Sequence, residues 1–131
     1  MRSFGYAIEG LWHAYRVDKS FMLETNIGLP VYAAIIYFLS PLRSSELILI
    51  LGSYSLIIIV ELINTAFEKM IDKLHPDEHI VIKRSKDIAA GAVLVAFMFA
   101  ILVIGILFYN KLTASHSPHS INQFMLGSVA V

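Results

Sequence analysis

Glu61, Asn64, Glu68 and Asp72 follow one another at intervals of three, four and four residues. On a helix that spacing lays them along one stripe roughly 80° wide. Glu61 comes directly after the uncharged run 47–60. An ionisable group at the end of such a run is costly to bury and marks a functional site by default. Like charges on one stripe also repel, so a cation is expected against them. A hard divalent ion such as Mg²⁺, held by one or two carboxylates and by substrate phosphates, suits that need. The plainer reading makes the stripe the wet end of a helix leaving the membrane. That reading accounts for Asp72 beside Lys69 and Lys73, but poorly for Glu61, which follows the apolar residues 57–60.

Other residues carry weaker signals. Lys86-Asp87, just before a third apolar run, could be a phosphate-binding lysine with an orienting carboxylate, although charges commonly flank a membrane span. His79 is a loop histidine that could meet a nucleotide or serve acid–base chemistry. His116 and His119 fall in a polar tail and have the look of inert surface groups. Trp12 and Tyr15 read as interfacial anchors. No Gly-rich phosphate loop is present, so a nucleotide would have to be held by side chains and metal. The absence of cysteine excludes thiolate metal sites, disulfides and cysteine nucleophiles.

The elements that must position these residues are helices in a bilayer. The chain has 131 residues, 57% of them hydrophobic and 15% charged, with a mean hydropathy of +0.71. One small soluble core could not hide that much apolar surface, so lipid must serve as part of the solvent. A net charge of zero argues against nucleic acid as the main partner. The first residues lack the apolar core and small-residue cleavage site of a signal peptide, so no cleaved leader is expected. Phe4, Ile8, Leu11 and Tyr15 recur at helical spacing, which predicts an amphipathic surface helix over 3–20. Three spans follow at about 21–39, 46–74 and 86–109, separated by the Ser40-Pro41 turn and by His75-Pro76. Together they form a membrane domain over 1–110, with a tail at 111–131 to which the sequence gives no role.

Basic residues set the expected orientation. Arg2, Arg16 and Lys19 mark the N-terminal segment, and Lys69, Lys73, Lys83, Arg84 and Lys86 surround the second loop. The first loop has only Arg43 and the C-terminal side only Lys111. The N-terminus and second loop are therefore expected in the cytoplasm. Most of the acidic residues gather toward the same side.

Two blocks resemble a known family. Glu61-Leu-Ile-Asn-Thr-Ala-Phe-Glu-Lys-Met-Ile-Asp72 is similar to the signature of the prokaryotic diacylglycerol kinases, small integral membrane lipid kinases. Lys86-Asp87-Ile-Ala-Ala-Gly-Ala-Val-Leu94 is similar to their second block. Tyr6-Ala-Ile-Glu-Gly-Leu and Asp18-Lys-Ser-Phe-Met-Leu-Glu24 look like their N-terminal segment, and the resemblance covers about 3–109.

The resemblance implies an all-α membrane fold, a surface helix plus three transmembrane helices, in a homotrimer with active sites shared at the cytoplasmic face of the bacterial inner membrane. It implies ATP as phosphoryl donor and Mg²⁺ as cofactor. Glu61 matches the general base, with Asn64 supporting the centre. Glu68 matches one metal-ligand carboxylate, and Asp18 stands where the family usually has a glutamate as the other. Tyr6, Asp77, Glu78, His79, Lys86 and Asp87 match positions around the nucleotide, together with Asp18 and Glu68. Glu24 lies near the expected lipid entrance. Aspartate is one methylene shorter than glutamate, so either the surface helix sits closer or the metal is held more loosely. Asp77-Glu78 also departs in detail from the family pair.

The expected activity is ATP-dependent phosphorylation of a membrane lipid alcohol, with diacylglycerol the first choice of substrate. Undecaprenol is the close alternative, since 89–94 also resembles that branch of the family. A non-enzymatic ion-binding or accessory membrane protein is the remoter one. It offers no reason for Lys86-Asp87 to accompany the Glu61 stripe. An intramembrane phosphatase lacks support because no arginine-rich phosphate pocket is visible.

Overall fold

Four helices account for nearly all of the described chain. The computed structural model describes residues 2–77, 79–116 and 125–127. The helices are α1 (Arg2–Val17), α2 (Lys19–Leu39), α3 (Ser44–Leu74) and α4 (Ile80–Ser115). The last three are long and apolar enough to cross a membrane. At ~1.5 Å per residue, α3 and α4 are both longer than the ~30 Å hydrocarbon layer, so part of each must project beyond it.

Each break between helices has a local cause. Asp18 adopts an extended backbone conformation, and its carboxylate accepts hydrogen bonds from the N–H groups of Ser20 and Phe21. It is thus the N-cap of α2, and α1 ends at Val17 rather than running on to residue 20. The turn at Ser40-Pro41 ends α2, with the Ser40 hydroxyl donating to the Ile36 carbonyl at 2.6 Å. Pro30 is accommodated inside α2, which continues past it. His75 closes α3 before Pro76, its N–H donating to the Ile71 carbonyl at 2.8 Å.

α4 begins at Ile80, six residues earlier than the expected span. Its N-cap is His79, whose Nδ1 accepts from the Val81 N–H at 3.3 Å. Lys83, Arg84, Lys86 and Asp87 therefore stand on the first turns of a helix, and the link between α3 and α4 is short. A short link forces the two helices to run antiparallel, and they make the most extensive helix–helix packing of the fold.

Small residues sit at part of the helix–helix contact. Ala96 and Ala100 of α4 are buried with Ile57 of α3. Tyr32, Leu39, Ile50, Val103 and Leu107 form a second cluster further along. Gly28 lets α2 approach α3 closely, since a Cβ there would meet a ring carbon of Tyr54 at 2.7 Å. The Tyr32 hydroxyl pairs with the fully buried Ser53 hydroxyl at 3.2 Å. Large apolar residues such as Leu94, Met98, Ile101 and Leu102 remain exposed on α4, as expected of faces turned to lipid or to other subunits.

Candidate active site

The acidic site is built where the junction of α1 and α2 meets the middle of α3. The N–H of Asp18 continues the helical pattern of α1, donating to the Ala14 carbonyl at 2.8 Å. One carboxylate oxygen, Oδ1, accepts from Ser20 at 2.8 Å and from Phe21 at 3.1 Å. The other, Oδ2, accepts from the hydroxyl of Thr65 on α3. Burial alone would push this carboxyl up, but the bonds from Thr65, Phe21 and Ser20, with the charge of Lys69, outweigh it. The group is held below the ordinary aspartate value. A further tie runs from α1 to α2, where the Tyr15 hydroxyl donates to the Asn26 side chain at 2.9 Å.

Glu61 lies one turn before Thr65 and is only 5% exposed. It feels the charges of Asp18 and Glu68, and Glu24 in turn feels those of Glu61 and Asp18. Among the described residues, no basic side chain forms an ion pair with Glu61. Two acceptor atoms beside it, Asn64 Oδ1 and Glu24 Oε2, are buried without a hydrogen-bond partner. Buried acceptors of this kind are rare, and each calls for a donor or a cation to complete it. The structure thus gathers Asp18, Glu24, Glu61, Asn64 and Glu68 at one end of the bundle.

Glu24 also stands at the rim of an apolar groove of about 320 Å³ between α2, α3 and α4, whose walls include Ile27, Gly28, Val31, Tyr54 and Phe97. The Tyr54 hydroxyl donates to the Glu24 carbonyl at 3.2 Å, tying the groove wall to the helix that carries the carboxylate. A groove of that lining suits a hydrocarbon chain.

A second, polar groove of about 590 Å³ lies at the α3–α4 link and is lined by Asp72, Asp77, His79, Lys83 and Lys86 among others. Lys86 forms an ion pair with Asp72. The Nδ1 of His79 accepts from the Val81 N–H that follows it on α4. Asp87 is exposed on α4 and does not line this groove. Tyr6 is not brought to either group. It is exposed on α1, in a shallow groove whose walls, Glu9, Trp12, His13 and Arg16 among them, all belong to that helix. Glu78 lies outside the described residues, as does most of the tail beyond residue 116.

Nothing in the sequence singles out Thr65 or Tyr54. Neither carries a charge, but Thr65 is four residues after Glu61, and that interval places it on the same helix face.

Among the described residues, no cluster of three or more His, Cys, Asp or Glu side chains converges as a ready metal site. Mg²⁺ does not require one, because it is commonly held by one or two carboxylates plus substrate phosphates. The hard oxygen donors of Asp18 and Glu68, with the unpartnered Asn64 and Glu24 acceptors nearby, fit an ion of that class.

The chain is similar to known proteins over most of its length. Residues 5–108 match the family described as prokaryotic diacylglycerol kinase. A diacylglycerol kinase of Synechocystis sp. is 36% identical over 107 residues, covering 80% of this chain and 59% of that protein. This chain therefore spans little more than half of that relative's length. An Escherichia coli diacylglycerol kinase is 28% identical over 111 residues, covering 84% of this chain and 88% of the relative. An undecaprenol kinase of Bacillus subtilis is 33% identical over 115 residues, with 85% and 89% covered. With three spanning helices and a match over nearly all of the membrane domain, this chain belongs to the prokaryotic diacylglycerol kinase family of membrane lipid kinases.

Proposed function

We propose that this protein transfers the γ-phosphoryl group of ATP to the hydroxyl of diacylglycerol, giving phosphatidic acid. The observation that carries the reading is Glu61, a carboxylate 5% exposed that stands beside two unpartnered acceptors and lacks a counter-cation among the described residues. A structural carboxylate would be paired; a base that must receive a proton is best left unpaired.

Phosphoryl transfer asks the protein to position two reactants and neutralise charge, with little covalent chemistry of its own. The two grooves divide that task. The apolar one at Glu24 suits the lipid chain, and the polar one at Asp77, His79 and Lys86 suits the nucleotide. Glu61 accepts the proton of the lipid hydroxyl as its oxygen attacks the γ-phosphorus and the bond to the β-phosphate oxygen breaks. Asn64 orients the hydroxyl beside Glu61. Asp18 and Glu68 would hold Mg²⁺, which when bound supplies charge neutralisation on the phosphates.

The reading extends to assembly and orientation. Tyr6 and the α1 groove are uncovered in one chain, which supports a homotrimer whose neighbouring subunits complete each site. The basic residues around the α3–α4 link support a cytoplasmic location for that link and the N-terminus, in a bacterial inner membrane.

The test is transfer from γ-labelled ATP to each purified lipid in mixed micelles with Mg²⁺. Phosphatidic acid is the expected product. The identity to the Bacillus subtilis enzyme favours undecaprenol as the second reading, and labelling of undecaprenol alone would overturn the choice of diacylglycerol.

A further inference from the structure

Among the described residues, Thr65 is the one Ser or Thr whose hydroxyl donates to a carboxylate, and that carboxylate lies at the junction of two other helices. Helical Ser and Thr, exposed or buried, commonly return their hydroxyl to a carbonyl three or four residues earlier. Thr25 donates to Phe21 in this way at 2.8 Å, Ser55 to Leu51 at 2.9 Å, Ser85 to Val81 at 2.9 Å and Thr113 to Tyr109 at 3.1 Å. Thr65 is 5% exposed, and its hydroxyl instead crosses between helices to Oδ2 of Asp18.

The recipient is an unusual carboxylate. Oδ1 of Asp18 is committed to the two N–H groups that start α2, so the carboxyl plane is already fixed from its own side. The bond from Thr65 fixes it from the side of α3. The capping bonds orient Asp18 within its helix. Among the described residues, the Thr65 hydroxyl is its one hydrogen bond to the helix that carries Glu61 and Glu68, where the charge of Lys69 also acts on it. Asp18 is a short side chain at the end of a rigid cap and cannot swing out to follow a displaced partner.

We propose that Thr65 is a positioning residue for phosphoryl transfer, its hydroxyl holding the Asp18 carboxylate in register with Glu61 and Glu68 so that Mg²⁺-nucleotide is bound productively. The proposal rests on the lipid-kinase reading above for its activity arm, but its binding arm is independent of any lipid substrate. The role belongs to the hydroxyl and not to the bulk of the side chain. Serine should therefore satisfy it, while valine, nearly the same shape without a donor, should not.

The experiment compares wild type with Thr65→Val, Thr65→Ser and Thr65→Ala in detergent. One arm follows lipid phosphorylation against Mg²⁺ and against lipid concentration. The other follows Mn²⁺ binding by electron paramagnetic resonance with a non-hydrolysable ATP analogue. Thr65→Val is expected to weaken Mn²⁺ binding and raise the Mg²⁺ requirement by about 10-fold or more, the usual cost of losing a partner that orients a ligand. The KM for lipid should change by less than about twofold, because the lipid groove is built by other residues. Thr65→Ala should shift the metal dependence in the same direction, which keeps the test open if valine impairs folding. Thr65→Ser should restore both values to near wild type. Equal Mn²⁺ binding by wild type and Thr65→Val would overturn the proposal, as would a serine variant as impaired as valine. If wild type phosphorylates no lipid while Thr65→Val still loses Mn²⁺-nucleotide binding, the kinase reading fails and the positioning role stands.

Discussion

Glu46 and Glu61, at opposite ends of the bundle, are treated in opposite ways. At the end formed by the α2–α3 turn, Glu46 accepts from the Arg43 N–H at 2.8 Å and faces the Lys111 ammonium at 3.8 Å. Lys111 also donates to the Pro41 carbonyl, so a single cation ties α4 to the turn between α2 and α3. Charge and hydrogen bonds there are closed. At the other end Glu61 is buried without a paired cation among the described residues, and Asn64 and Glu24 each keep an unpartnered acceptor. The first arrangement is what a structure needs for its own stability. The second leaves groups to be completed by something the fold does not supply, which is how a site for a proton, a metal or a phosphate differs from a clasp.

Substitutions should separate the two ends. Glu61→Gln is expected to lower kcat by at least about 100-fold, the scale of a lost general base, with helix content and thermal midpoint maintained. Glu46→Gln should leave kcat within about twofold, since it touches neither groove. Equal losses in the two variants would erase the distinction. Glu68→Gln is expected to raise the Mg²⁺ concentration for half-maximal rate by about 10-fold or more, or to abolish activity. An unchanged Mg²⁺ titration would remove Glu68 from metal binding.

A smaller effect concerns acid. The Asp18 carboxyl titrates below the ordinary value of 3.8 in the folded protein, so the folded state binds the proton less readily than the unfolded chain does. Its contribution to stability is full above that ordinary value and is lost as pH falls below it, through the folded value. Docking of the α1–α2 junction on α3, followed by Trp12 fluorescence, should persist at pH 5 and weaken only below about pH 4. Asp18→Asn, which can still cap α2, should flatten that acid transition. The smallest effect is expected for Lys111→Met, a modest drop in thermal midpoint with turnover within about twofold of wild type. A collapse of activity would show that the two ends are coupled.

Much of this contrast was legible in the sequence, for physical reasons that can be named. A charge directly after a long uncharged run has no inexpensive structural explanation, so Glu61 stood out, and the helical period then carried Asn64, Glu68 and Asp72 with it. The spans were set by the bilayer's demand for apolar length. Thr65 was invisible because a neutral hydroxyl on an apolar helix has an unremarkable local use, and only the three-dimensional neighbour reveals the other one. Asp18 is a ligand by resemblance only, and its role as a cap is hidden because the amphipathic pattern of α1 runs smoothly past it. The helical start of α4 at Ile80 is hidden likewise, because Lys83, Arg84, Lys86 and Asp87 look like a loop when judged by polarity. His79 and Lys86 each carry a weak signal of their own, and family resemblance alone joins them to Tyr6 and Asp77. They sit on separate elements, and no spacing rule connects a residue on α1 to one on α4.

The most direct test of the central claim is single-turnover transfer of the γ-phosphoryl group to diacylglycerol by wild type beside Glu61→Gln, with nucleotide binding measured on the same samples. The expected result is phosphatidic acid from wild type, and a glutamine variant that binds Mg²⁺-nucleotide normally but transfers at least about 100-fold more slowly. Transfer by Glu61→Gln at a rate close to wild type would contradict it.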